Sequence, residues 1–304
     1  MHKLISSSPR LIAMIRGTDL SGSNLLGIDS DHVCAAFDAY AHSFDLMDPP
    51  LSRKYSHSMR VALDALLIAR GEDGADEGAC FLAGLLHDVG RFPQHAMHKS
   101  FSDGLTVDHA RLGFLMLGEM GMLGRFVEMD GICSRRGEVE RLWDGAVTAP
   151  AWRIGCNCDL AETREGKLAG AVLEAVRVHN MYAIPGDLDG ESRKYAAILR
   201  DADKIDILEE LASGIIPHDS YFADNASDAV LASMAERRQI DTRDVENAAD
   251  EMLKPFAMAA YGMETRTGRS ILADRHVLSD LLGTVEFADP QAQDAAAEAA
   301  SLSA

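Results

Sequence analysis

Apolar residues recur every three or four positions along most of the chain, a spacing that places them on one face of a helix. Acidic residues just after Asp76 and a glycine at Gly90 are typical of a helix start and a helix end. Ala, Leu and Met recur throughout, which also favours helix packing over sheets. The sequence therefore predicts an all-α protein. The predicted helices cover residues 31–41, 52–70, 76–88, 105–120, 167–180 and 191–212, with a helical remainder over 227–282.

Glycine, proline and serine mark the breaks between these segments. Asp48-Pro49-Pro50 ends the structural element that precedes it. A loop carrying Phe92-Pro93 and His95 is predicted after the third helix. No internal repeat and no linker between two folds is evident. We expect a lead-in over 1–30, a main helical domain over 31–212 with an irregular insertion at about 121–166, a helical extension over 213–288 packed on the same domain, and a flexible tail over 289–304.

The composition limits the partners that the protein can have. A formal charge of -19 argues against duplex nucleic acid and anionic membranes, because such partners require clustered Lys and Arg. An acidic protein can still take a small phosphorylated substrate if metal ions neutralise the site locally. No stretch approaches the roughly 18 apolar residues of a membrane span, and Ser6-Ser7-Ser8-Pro9 interrupts any signal-like apolar run. We expect a soluble, cytoplasmic protein.

Five cysteines give an odd count without the spacing of a disulfide framework. Cys156-Asn157-Cys158 differs from the CxxC spacing of zinc sites and redox pairs. We interpret all five as reduced thiols, as expected in a cytosol.

The candidate chemistry lies in histidines and aspartates on apolar helix faces. His87 and Asp88 end an apolar helix in which Ala83 and Gly84 allow another helix to approach closely. His57, His179 and Asp203 also lie on the core-facing sides of predicted helices. Unpaired buried charge is costly, and a shared metal ion is the simplest compensation. Imidazole nitrogen with carboxylate oxygen suits transition metals better than calcium.

These residues resemble the HD-domain superfamily of metal-dependent phosphohydrolases. The superfamily pattern H…HD…D matches His57, His87-Asp88 and Asp203, with Asp203 favoured over Asp201 because the last ligand is the Asp of an "A-D-[RK]" run. The resemblance covers about residues 50–212. It implies an HD-type helical bundle with additional C-terminal helices, and one or two divalent transition metal ions, with Mn, Fe, Ni, Co or Zn as candidates.

A binuclear subset of the family, which includes the HD-GYP phosphodiesterases, adds two histidines that resemble His109 and His179. The resemblance then implies one metal on His57, His87, Asp88 and Asp203, and a second on His109 and His179 with Asp88 bridging. Asn180 stands where HD-GYP enzymes have another histidine, and Ile184-Pro185-Gly186-Asp187 replaces their GYP signature, which argues against a cyclic-di-GMP substrate. Arg53 stands where trinuclear members have Glu, which argues against a third metal.

Several cations and histidines near these motifs are candidates for the chemistry itself. Arg60, Arg91 and Lys99 are candidates for holding a phosphate, and Lys204 lies beside the last ligand. His95, or alternatively His98, is a candidate proton donor to a leaving oxygen. The predicted reaction is hydrolysis of a small phosphate ester, with a nucleotide as one option, by a metal-activated hydroxide. The catalytic candidates are Asp88, His95 and Lys204.

Two other functions remain open at this point. HD-fold diiron oxygenases, such as myo-inositol oxygenase, also show the pattern H…HD…H…H…D, so that metal identity and oxygen dependence separate them from hydrolases. A non-catalytic signalling module is the third option, although degenerate domains typically lose one or more ligands. The substrate, the physiological metal and the oligomeric state stay open.

Overall fold

The computed structural model describes residues 9–127 and 163–302. They form two compact units, of which the first runs to Leu199 and the second starts at Arg200. Residues 128–162 of the predicted insertion at 121–166 lie outside the described residues, and so do Cys133, Cys156 and Cys158. The fold is mostly helical, as predicted, and none of the described helices combines the length and hydropathy needed to cross a membrane.

The first unit is built from helices. They are α1 (Pro9–Ile15), α2 (Ser30–Ala41), α3 (Pro49–Gly71), α4 (Glu77–Leu86), α5 (Arg91–His98), α6 (His109–Phe114), α7 (Arg164–Val178) and the start of α8 (Gly190–Ala212). A π-helical turn (Leu115–Glu119) and a 3-10 turn (Met122–Arg125) extend α6. Helix α3 packs along α4, and α7 packs against α4 and α6.

Three helices depart from the sequence-based prediction. The segment predicted as a loop with Phe92-Pro93 is helix α5, with Pro93 in its first turn. A proline there removes no helical hydrogen bond, because the first four N–H groups of a helix have no intrahelical acceptor. Pro49 and Pro50 likewise start α3 instead of standing outside it. The lead-in also contains α1, whose Leu11 and Ile15 are buried.

The second unit contains the rest of α8, four short helices, a terminal helix and a small sheet. The elements are β1 (Tyr221–Phe222), α9 (Asp228–Ala235), α10 (Ala248–Tyr261), α11 (Arg266–Asp274), α12 (Val277–Leu282), β2 (Glu286–Phe287) and α13 (Pro290–Leu302). The two strands pair in parallel, with Tyr221 opposite Glu286 and Phe222 opposite Phe287. This pair was not predicted, since two residues are too few to show alternation.

The segment predicted as a flexible tail from residue 289 forms helix α13. Alanine has the highest helix propensity, and four alanines of α13 are buried: Ala292, Ala296, Ala299 and Ala300. Helix α13 packs against α10, α9 and α12. The tail is therefore part of the core of the second unit.

A glycine brings α3 and α4 into close contact. A Cβ atom at Gly84 would lie 2.7 Å from both the Cα of Ala62 and the carbonyl oxygen of Val61. The backbones of the two helices therefore touch at this level, as the small residues before His87 predicted. This contact holds His57 on α3 beside the end of α4.

Candidate metal centre

Four histidines and one aspartate converge in the core of the first unit. His57 lies on α3, His87 and Asp88 directly follow α4, His109 is the first residue of α6, and His179 directly follows α7. All five are buried, and none is more than 6% exposed. The structure therefore brings together the predicted ligands that belong to this unit.

One half of the cluster is formed by the histidines of α3 and α4. The Nε2 atoms of His57 and His87 lie 3.2 Å apart. Oδ2 of Asp88 lies 3.6 Å from His57 Nε2 and 3.4 Å from His87 Nε2. Three donor atoms thus surround one point.

The other half repeats this arrangement with the histidines of α6 and α7. The Nε2 atoms of His109 and His179 lie 3.0 Å apart. Oδ1 of Asp88 lies 3.2 Å from His109 Nε2 and 3.8 Å from His179 Nε2. Asp88 therefore directs one carboxylate oxygen at each histidine pair. We call the two groups the Oδ2 half-site and the Oδ1 half-site.

The ends of α4 and α7 fix the orientation of two of the rings. His87 and His179 are the C-cap residues of these helices, where the last backbone carbonyls have no intrahelical partner. His87 Nδ1 lies 2.7 Å from the carbonyl oxygen of Gly84, and His179 Nδ1 lies 2.7 Å from that of Val176. Each Nδ1–H therefore donates to a carbonyl, which leaves each Nε2 available as a ligand atom.

His109 obtains the same orientation from a side chain. Its Nδ1 lies 2.8 Å from each carboxylate oxygen of Asp103. Burial lowers the pKa of His109, but hydrogen bonds to Asp103 and Asp88 outweigh this effect and hold that pKa above its ordinary value. The surroundings thus favour positive charge at this ring, which a proton or a metal ion can supply.

The donor set fits a metal ion in each half-site. Ligands at about 2.0–2.2 Å in a tetrahedron lie about 3.3–3.6 Å from one another, close to the 3.0–3.8 Å separations of these donor atoms. In each half, imidazole nitrogens face each other at a distance that requires a cation or a proton between them. Two imidazoles and a carboxylate suit Mn, Fe, Co, Ni or Zn better than Ca.

Asp88 is a carboxylate with two cationic neighbours. Burial opposes its ionisation, but the charges of Lys54 and His87 and hydrogen bonds from the histidines hold the pKa of Asp88 well below its usual range. Lys54 Nζ lies 2.6 Å from Oδ2, and Arg91 Nε lies 3.6 Å from Oδ1. The Lys54 side chain is 9% exposed, so that its charge acts in a largely dry environment.

The cations predicted to bind substrate lie in different surroundings. Arg91 donates through Nη1 to Gln94, to the carbonyl of Phe101 and to Asp103, beside the centre. Lys99 is exposed and lies 3.5 Å from Asp48. Arg60 is buried on α3, one turn after His57. Their roles in substrate binding stay predictions.

His95, predicted as a proton donor, is held by Asp48. Its Nε2 lies 3.0 Å from Asp48 Oδ2, and its ring packs on Phe101 at a centroid distance of 4.7 Å. His95 lies on helix α5 and not on the predicted loop. Its ring is held both by packing on Phe101 and by the hydrogen bond to Asp48. Its catalytic role stays a prediction.

The remaining predicted residues, Asp203 and Lys204, lie on α8 in the second unit. Lys204 Nζ donates to the carbonyl of Gly262. Asp201 accepts hydrogen bonds from the backbone of Glu264 and Thr265, so that its oxygens already serve the packing of this unit. The ligand role of Asp203 and the catalytic role of Lys204 stay predictions.

The structure adds residues that sequence reasoning did not single out. Lys54 lies three positions before His57 on the same helix face, so the helical period was the signal that could have found it. Asp103 lies in an irregular segment, where no periodicity predicts its neighbours. Asn180, predicted only as a departure from the HD-GYP pattern, donates to both Asp103 and Asp108.

Comparison with known proteins gives one match. The sequence model of one protein family, described as the HD domain, matches residues 55–208, about half of the chain. No curated protein and no solved structure matches the chain significantly. The matched range contains every member of the histidine and aspartate cluster.

Proposed function

Since the chain belongs to the HD-domain family, generally one of metal-dependent phosphohydrolases, we propose that it hydrolyses a small phosphate ester, with a nucleotide as one option. The observation that carries this proposal is the placement of Asp88 between two imidazole pairs. The two imidazole pairs, together with the Asp88 oxygen that faces each of them, would hold divalent ions, which would supply Lewis acidity for hydrolysis. Asp203 is proposed as a further ligand, from its position in the motif.

The chain's own residues have distinct tasks in such a reaction. A metal ion bound here would lower the pKa of a water molecule toward neutral pH. Asp88 would hold the two half-sites at a fixed spacing. The carbonyls of Gly84 and Val176 accept from Nδ1–H of His87 and His179, so that each ring presents Nε2 as its ligand atom.

Two cations, the buried Lys54 and the half-buried Arg91, favour an anionic substrate at this point. Lys54 and Arg91 lie on opposite oxygens of Asp88, in a protein with a formal charge of -19. Local positive charge in an acidic protein directs a phosphate to the centre. Arginine donates in a planar fork that suits phosphate oxygens, and lysine acts as a point charge. We therefore propose that Lys54 and Arg91 contact the phosphoryl group.

Replacing Lys54 with methionine tests this assignment. Methionine keeps most of the side-chain volume and removes the charge, so we expect kcat/KM to fall about 10- to 100-fold, the loss of one charge-assisted hydrogen bond. Metal affinity should not fall, because an ammonium beside the shared carboxylate repels divalent ions. Steady-state kinetics and metal titration measure the two quantities separately.

The matched control is Lys194→Met in the same unit. Lys194 donates to the carbonyl of Gly74 at 3.0 Å and not to a residue of the centre, so its loss should leave kcat/KM unchanged. If Lys54→Met lost metal while keeping turnover per bound metal, Lys54 would be a structural partner of Asp88 and not a substrate contact.

The reaction class is tested by assaying metal-loaded protein without oxygen. Purified protein would be stripped with a chelator, reloaded separately with Mn, Co, Ni, Zn and Fe(II), and screened anaerobically against phosphomonoesters, phosphodiesters and nucleotides. We expect hydrolysis of a phosphate ester under anaerobic conditions, loss of activity with chelator, and recovery on adding a divalent metal.

The same screen distinguishes the hydrolase from the oxygenase and from the non-catalytic binding module. Turnover that requires both O₂ and Fe(II), with no anaerobic hydrolysis of a phosphomonoester or phosphodiester, would establish the oxygenase. Tight metal binding with no turnover in either atmosphere across all substrates would favour a non-catalytic module.

A further inference from the structure

The carboxylate of Asp103 lies where three parts of the first unit meet. It accepts hydrogen bonds from His109 Nδ1 at 2.8 Å, from Gln94 Nε2 at 3.0 Å and from Arg91 Nη1 at 3.0 Å. Asn180, next to His179, also donates to it at 3.3 Å. Asp103 thus connects a candidate ligand, a candidate substrate contact and the segment that follows the other ligand of the Oδ1 half-site.

His109 depends on this side chain in a way that the other oriented histidines do not. His87 and His179 follow helices, where free carbonyls are at hand for Nδ1–H. His109 is the first residue of α6, and the carbonyls of a helix point away from its first turn. A side-chain acceptor therefore has to replace the backbone one.

Asp103 is itself held firmly in place. Gln94 is fully buried, and its Nε2 also donates to Thr106 Oγ1 and to the carbonyl of Val107. The guanidinium of Arg91 donates to Gln94 Oε1 and to the carbonyl of Phe101. With its neighbours fixed in this way, Asp103 can aim the ring of His109 without losing further conformational freedom.

We propose that Asp103 is a positioning residue that orients His109 and thereby determines whether the Oδ1 half-site holds a metal ion. A carboxylate that accepts from the far nitrogen of a ligating histidine fixes its tautomer and raises its basicity. The proposal rests on metal binding at this centre, which belongs to the proposed function, and it is independent of the substrate.

The test compares Asp103→Asn and Asp103→Ala with the wild type by metal titration. Metal-free full-length protein would be titrated with Mn²⁺, with stoichiometry from elemental analysis and the spin coupling of a manganese pair from electron paramagnetic resonance. We expect two ions in the wild type. In both variants we expect affinity for the second ion to fall about 10- to 100-fold, with loss of the coupled signal and retention of the first ion.

Asp189→Asn is the matched control. Asp189 is likewise hydrogen-bonded in the first unit, to Ser192 and Glu191 at the start of α8, but it contacts none of the four centre histidines. This variant should keep both ions and the coupled signal. Circular dichroism checks that each variant is folded. Asn180 is exposed, and Asn180→Ala removes one weaker donor to Asp103, so this variant should lower the affinity for the second ion by less than Asp103→Asn.

Three results would overturn the proposal. These are a wild type that binds a single ion, folded Asp103 variants that bind two ions with wild-type affinity, and Asp103 variants that lose both ions together. A wild type that binds two ions yet hydrolyses no phosphate ester would refute the proposed function and leave the role of Asp103 intact.

Discussion

Asp88→Asn should abolish binding of both metal ions and reduce turnover by at least about 10³-fold. The side chain keeps its size but loses the negative charge that both histidine pairs face. Metal ions contribute several kcal/mol of charge stabilisation to hydrolysis, and each 1.36 kcal/mol corresponds to a factor of ten in rate. Elemental analysis and kcat measure the two losses.

The charge on Lys54 complicates this variant. Asp88 is its ion-pair partner at 2.6 Å, and removing one member of a buried pair costs about 3–5 kcal/mol. The double variant Lys54→Met/Asp88→Asn removes both charges, so it should recover much of the lost stability without recovering metal. Asp250→Asn is a second control, for the removal of a buried carboxylate outside the centre. Asp250 is fully buried in the second unit and accepts hydrogen bonds from the backbone of Ser227 and Glu246.

His109→Ala should have a smaller effect on metal content than Asp88→Asn. His109→Ala should remove only the ion in the Oδ1 half-site, because His57 and His87 stay in place around Oδ2. An Asp88→Asn protein that keeps its metal, together with a His109→Ala protein that loses all of it, would contradict the central place of Asp88.

The sequence predicted the position of the clustered histidines best where their helices are long and strongly periodic. Helix α3 and helix α7 lie within a few residues of the predicted positions, at Pro49–Gly71 and Arg164–Val178. His57 lies on the apolar face of α3, and His87 ends a helix that is apolar on all sides. The family match over residues 55–208 agrees with the resemblance drawn from these motifs.

The parts that the sequence did not reveal depend on contacts between distant segments. Lys54 was on the right helix face, but its partner is 34 positions away in sequence at Asp88. The sequence pattern does not identify Asp103, because its role arises from side chains of α5 and α6 that meet only after folding. The Phe92-Pro93 segment predicts a loop, but Pro93 lies in the first turn of helix α5, where a proline costs no hydrogen bond.

Gly90→Ala should destabilise the protein by more than about 3 kcal/mol, at the upper end of overpacking effects. Gly90 has φ of -67°, which alanine adopts freely, so the cost is purely steric. A Cβ atom here would overlap the carbonyl oxygen of His109 and lie 2.9 Å from the backbone nitrogen of Gly113. Both are backbone atoms, so α6 would have to move away from the turn that carries Asp88.

This displacement should be seen in stability and in metal content together. We expect Tm to fall by about 5–10 °C and the ion in the Oδ1 half-site to be lost, since its ligands His109 and Asp88 Oδ1 are separated by only 3.2 Å. Gly104→Ala is the control, because a Cβ atom there meets nothing within 4 Å and should leave Tm within about 1 °C. A Gly90→Ala protein with wild-type Tm and two bound ions would mean that the approach of α6 to the His87-Asp88 turn does not build the centre.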